Sequence, residues 1–144
     1  MNGKRTHLAV AALAVAVATI AAAAPGSKTK ATLARGKYLV EQVGMCSDCH
    51  SPRAPTGEFI REQWLQGAPL TFKSTVPVPK WADAAPPLAG LPGWTEAQVV
   101  TLLTTGKDQK GEPPEPPMPA YRMTREDAAA VAAYLASLAP VARK

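Results

Sequence analysis

Cys46-Ser47-Asp48-Cys49-His50 is the stretch of this 144-residue chain best equipped for chemistry. Two thiols separated by two residues lie on one side of a helical turn, and an imidazole follows the second at once. This is the pattern by which a c-type haem is attached: Cys46 and Cys49 add to its two vinyl groups, and His50 lies beneath the iron. Other uses of these residues fit less well. A dithiol redox pair calls for a βαβ setting, and no such pattern surrounds the cysteines. A structural zinc site takes four ligands, but apart from His7 near the N-terminus the chain offers two cysteines and one histidine, so carboxylates would be needed as well. A plain disulfide leaves His50 without a part.

A low-spin iron needs a second axial ligand from a distant part of the chain. With His50 committed and His7 in the first residues, the candidates are methionines. Met45 adjoins Cys46 and cannot readily reach the opposite face. Met118 lies in Pro116-Pro117-Met118-Pro119-Ala120-Tyr121, where prolines restrict the backbone and press the thioether into place, so it is the expected sixth ligand. Met123 is the alternative, and a helix-start contact is its ordinary use. The chemistry expected is one-electron cycling of the iron. A thioether ligand stabilises the ferrous form and raises the potential, within a span of about 0.8 V that axial ligands cover. The competing function is a haem enzyme or gas-binding protein with an open sixth site. That requires Met118 not to ligate, and the chain offers no distal histidine as acid or base.

Residues 1–24 begin with Lys4 and Arg5 and continue as an apolar run from Leu8 to Ala24, broken only by Thr19, with Ala21-Ala22-Ala23 as a small-residue cleavage site. This pattern predicts a secretory signal peptide over 1–24 and a periplasmic or otherwise exported domain over 25–144. Left uncleaved, the leader would anchor the domain, although the run falls short of the ~20 residues that span a bilayer. The formal charge is +5, and loss of Lys4 and Arg5 with the leader lowers it to +3. No run of basic residues or aromatic platform accompanies it, which excludes a nucleic-acid partner. The expected partners are redox proteins, met transiently or within a complex, with peripheral membrane association as a further option.

Three helices must position these residues. Thr32 to Val43 reads as the first, closed by Gly44, with Leu33, Gly36, Val40 and Val43 forming a narrow seam for another helix. Thr95 to Thr105 is the second, opened by a Thr95/Gln98 capping box and ended by Gly106. The third starts at the Thr124 cap and runs to about Leu138, ahead of Pro140. The cysteines are expected in a loop, and 51–93 in a longer proline-rich loop without helical or strand period. Its Phe59, Trp64, Leu65, Leu70, Phe72, Trp81 and Leu88 are apolar surfaces for a porphyrin to bury. Trp64, Trp81 and Arg53 are candidates for the haem propionates, and Pro52 for aiming His50. The fold class is all-α, with three main helices and long Pro-rich loops wrapped round one haem.

Two longer strings carry a family resemblance. Arg35-Gly36-Lys37-Tyr38-Leu39-Val40 precedes the attachment motif, and Met118-Pro119-Ala120-Tyr121 precedes Ala132-Ala133-Tyr134-Leu135-Ala136-Ser137-Leu138. In these the chain resembles class I monohaem cytochromes c, and it is similar to modules in cytochrome subunits of membrane dehydrogenases. The resemblance implies that the first and last helices cross, that His50 and Met118 bind opposite faces of one covalent haem c, and that the protein carries electrons rather than acting as an enzyme. The chain departs from the short members of that family in its extended Pro- and Trp-rich middle.

Overall fold

The computed structural model describes residues 29–140; the leader read over 1–24 lies outside them. Helix α1 (Lys30–Tyr38) starts where the Thr29 side chain accepts the Thr32 N–H at 3.1 Å. It then widens into one π-helical segment, Leu39–Val43. The widening ends at Gly44, whose N–H reaches back to the Leu39 carbonyl at 2.7 Å. Gly44 itself keeps a right-handed backbone, and the left-handed residue is Met45, at φ 47. Isolated π-segments inside α-helices often sit beside functional sites. This one leads directly into α2 (Cys46–His50), which supplies the helical turn expected of the attachment motif inside a stretch otherwise read as loop.

Helices α3 (Glu96–Thr105) and α4 (Arg125–Ser137) match their sequence signals. Both halves of the α3 capping box form: Thr95 Oγ1 accepts the Gln98 N–H at 3.3 Å, and Gln98 Oε1 accepts the Thr95 N–H at 2.8 Å. Gly106 ends the helix at φ 68, a conformation that favours glycine. Replacing Thr95 by alanine strands the helix's first amides and should cost about 1 kcal/mol, read as a lower urea midpoint.

The expected crossing of first and last helices is present at Gly36. A Cβ built there would lie 2.0 Å from the Ala130 carbonyl oxygen and 2.7 Å from Tyr134 Cβ, so the two backbones touch. The buried alanines 128, 130, 132 and 133 make the α4 surface smooth enough for this approach. Polar groups flank the contact. Arg35 forks onto Asp127 at 2.9 and 3.2 Å, and the Tyr134 hydroxyl donates to Glu41 at 2.7 Å. Asp127 is held below the usual carboxylate range, chiefly by its hydrogen bond from Arg35. Around the crossing, Leu39, Val40, Leu65, Leu91, Val99, Leu103, Val131 and Leu135 complete the core.

The middle loop is irregular as expected, but short pieces of regular structure pin it. Strands β1 (Ala68–Pro69) and β2 (Ala84–Ala85) pair antiparallel, Ala68 opposite Ala85 and Pro69 opposite Ala84. Leu65 is fully buried, and its carbonyl accepts the N–H groups of both Leu88 and Ala89. The segment beyond the ladder turns outward instead of packing inward. Phe72 is 48% exposed and meets Trp81 edge-to-face, with ring centroids 6.0 Å apart. The Lys73–Asp83 ion pair closes the base of this tip. Among the described residues, no helix is long and apolar enough to cross a membrane.

Candidate haem site

Helix α2 brings Cys46, Cys49 and His50 together within five residues, and both cysteines are free and half-buried. Burial pushes the Cys46 thiol up to about 11, so at neutral pH it stays an uncharged thiol. His50 is 6% exposed. Its Nδ1 lies 2.7 Å from the carbonyl oxygen of Pro86. A carbonyl only accepts, so Nδ1 carries the proton and the lone pair sits on Nε2. Burial also pushes the His50 pKa down, against the raising effect of the Pro86 bond, which favours the neutral ring that a metal requires. Among the described residues Nε2 has no hydrogen-bond partner. A buried, neutral, oriented imidazole with a bare Nε2, next to two free thiols on one helical turn, is a donor set that fits a covalently bound haem iron.

The ladder explains why Pro86 is in place. Its register leaves Pro86 one residue beyond Ala85, facing Gly67, and the Gly67 N–H donates to the His50 carbonyl at 2.8 Å. A side chain at Gly67 would run into the Ala85 carbonyl oxygen at 2.8 Å and the Pro87 nitrogen at 2.9 Å. His50 is therefore gripped through both its main chain and its ring. Next to it, the Ser51 hydroxyl accepts the Leu65 N–H at 2.8 Å, tying the end of α2 to the core.

Met118 is half-buried in a turn where its N–H bonds the Glu115 carbonyl at 3.2 Å. The Pro116 carbonyl accepts the Ala82 N–H at 2.8 Å, so the turn is docked on the middle loop. Three residues on, the Tyr121 hydroxyl donates to the Gly44 carbonyl at 2.9 Å, which links this segment to the start of α2. Met123 packs against the main core.

The side chains suggested for the propionates have protein partners here. Trp81 donates to the Phe72 carbonyl at 3.2 Å, and the Trp64 ring meets Phe59 edge-to-face with centroids 5.2 Å apart. Arg53 bonds Asp48 at 3.2 Å and the Gly57 carbonyl at 2.9 Å, with its guanidinium 3.7 Å above the Phe59 ring. Sequence reasoning looked to Pro52 to aim His50 and did not single out Pro86, Gly67 or the Tyr121–Gly44 bond. The ladder residues carry no alternation that would have marked them, and the Tyr121 bond joins positions 77 residues apart.

The protein-family model for cytochrome c matches residues 33–139, which takes in most of α1, the cysteine helix, the Met118 turn and α4. The chain belongs to the cytochrome c family. The family binds haem, so the attachment motif at Cys46 and Cys49 stands in a haem-binding cytochrome c domain. This domain is 33% identical over 127 residues to the cytochrome c subunit of a quinone alcohol dehydrogenase from Gluconacetobacter polyoxogenes, covering 81% of the chain and 26% of that protein. It is 30% identical to the gluconate 2-dehydrogenase cytochrome c subunit of Pantoea cypripedii, covering 79% of the chain and 28% of the relative. A dihaem c-type cytochrome of Cereibacter sphaeroides is 29% identical over 70% of the chain and 33% of its own length. The chain thus spans about a quarter to a third of these relatives.

Proposed function

We propose that this cytochrome c domain is a one-electron carrier that holds a single haem c through Cys46 and Cys49, with His50 and Met118 as axial ligands. The observation that carries the proposal is the state of His50: buried, its Nδ1 tied to Pro86 at 2.7 Å, its Nε2 bare, on the same turn as two free thiols. When bound there, the haem supplies a ferric/ferrous couple. The protein's part is to keep that couple's surroundings fixed between the two states. Pro86 and Gly67 hold the ring of His50 and its main chain, and the turn around Met118 is braced by Ala82 and Tyr121. A rigid donor set keeps reorganisation small, which is what electron transfer needs and what an open catalytic site does not.

Export by a leader over 1–24 is part of the proposal, supported by Lys4 and Arg5 ahead of the apolar run. So is a dehydrogenase as electron source, because relatives with this domain are named as cytochrome c subunits of alcohol and gluconate dehydrogenases.

Optical spectra of the oxidised and reduced holoprotein, with and without carbon monoxide, test the ligation. Wild type should show a sulfur-to-ferric-iron band and ignore carbon monoxide. Met118→Ala should lose the band, bind carbon monoxide, and fall in potential by on the order of a few tenths of a volt, within the span of about 0.8 V that axial ligands cover. Ready carbon monoxide binding by the wild type would instead place the domain among haem proteins with an open sixth site.

A further inference from the structure

We propose that Tyr121 is the positioning residue that fixes the Met118 segment against the cysteine helix, through the hydrogen bond from its hydroxyl to the Gly44 carbonyl. The inference rests on the reading of Met118 as sixth ligand and extends it to the group that keeps the ligand in place.

Met118 is held at its own turn by the bond to Glu115, and the next backbone tie downstream is the Met123 N–H to the Leu103 carbonyl at 2.9 Å. Among the described residues, no backbone–backbone hydrogen bond involves residues 119 to 122. Pro119 has no N–H to offer, and Ala120 only abuts Gly106. Among the described residues, the stretch 119–122 therefore has one hydrogen-bonded tether, the 2.9 Å bond from Tyr121. Its far end is well chosen. Gly44 closes the π-segment and lies two residues ahead of Cys46. A Cβ built at Gly44 would meet the Cys46 sulfur at 3.3 Å and the Tyr121 oxygen at 3.6 Å, so the tether, the attachment sulfur and the turn before α2 share one small space. Tyr121 is half-buried, so losing the bond leaves the Gly44 carbonyl poorly compensated by water. The tether thus connects the element bearing the proposed sixth ligand to the element bearing the covalent attachment and the fifth.

A role in positioning differs from a role in general stability by what it controls, namely how often the sixth site opens. Tyr121→Phe keeps the ring and removes the tether. In the holoprotein it should keep the sulfur-to-ferric-iron band at neutral pH, lose that band in milder urea than the wild type, and admit carbon monoxide to the ferrous iron about tenfold faster, the change expected for one hydrogen bond. Thr95→Ala, which weakens the remote start of α3, should lower the global urea midpoint and leave carbon monoxide entry unchanged. Independently of any variant, the Tyr121 hydroxyl proton of the wild type should exchange slowly with solvent. A Tyr121→Phe protein that admits carbon monoxide no faster than Thr95→Ala, or a freely exchanging hydroxyl proton, would overturn the positioning role while leaving Met118 as ligand. A wild type without the sulfur band overturns both.

Discussion

Alanine at both Cys46 and Cys49 should yield a chain that carries no covalent haem and does not hold the native fold. The reason lies in how little the polypeptide buries without help. The largest fully buried side chains are Leu65, Val40, Val131 and Ser51, and among the described residues six of the fifteen buried apolar residues are alanines. A small domain with a thin core is marginal, because the entropy of ordering its loops nearly cancels the gain from burial. The stretch from 51 to 93 has two two-residue strands and one 3₁₀ turn to offset that entropy. A porphyrin bound to the native state alone adds its binding free energy to folding. The measurements are intact mass, which should lack the haem increment, and far-ultraviolet circular dichroism, which should show lost helix and no cooperative thermal transition. Cys49→Ala alone keeps one thioether and should fall between the two. A double variant that melts cooperatively near the wild-type temperature would show that the chain needs no cofactor to fold.

Gly36→Ala is the second large effect, and its sign makes it informative. In an ordinary helix interior the change from glycine to alanine stabilises by about 1 kcal/mol. At Gly36 the added methyl would sit 2.0 Å from the Ala130 carbonyl oxygen, well inside van der Waals contact, and that oxygen belongs to the backbone of α4. The clash is relieved only if α1 and α4 separate. Separation strains the Arg35–Asp127 fork and the Tyr134–Glu41 bond on either side of the crossing. A loss of about 3 kcal/mol or more is expected, a large share of the ~5–15 kcal/mol that holds a typical domain together. Urea denaturation of the holoprotein reads it as a lower midpoint with little change in slope. An unchanged or raised midpoint would mean that the helices do not touch at Gly36.

The parts of the molecule visible in the sequence are those specified by short-range chemistry. Cys46, Cys49 and His50 lie within one turn of chain, so their spacing alone announces the attachment pattern. Thr95 with Gln98, and Thr124 ahead of α4, are caps formed by neighbours three residues apart, and both helices start where these caps place them. Gly36 on its narrow apolar seam announces a close helix contact, while the identity of the partner, α4, came from the family resemblance. What stayed hidden is long-range or depends on backbone geometry. Pro86 reaches His50 because a ladder of alanines and a proline sets the register, and such residues leave no periodic trace. Gly44 ends the first helix as its place in the sequence predicts, but the left-handed turn at Met45 and the space Gly44 leaves to Cys46 and Tyr121 carry no local signal. The mutual contact of Phe72 and Trp81 is equally invisible in the sequence. They pack on each other at an exposed tip, because composition does not say which way a loop turns.

Whether this cytochrome c domain carries one electron on one covalently held haem is tested most directly by an optical redox titration of the matured holoprotein, with haem quantified against protein. One haem per chain and a single reversible one-electron wave, shifted downward in Met118→Ala, is the result expected. A chain without covalent haem, or a titration that resolves more than one centre, would contradict it.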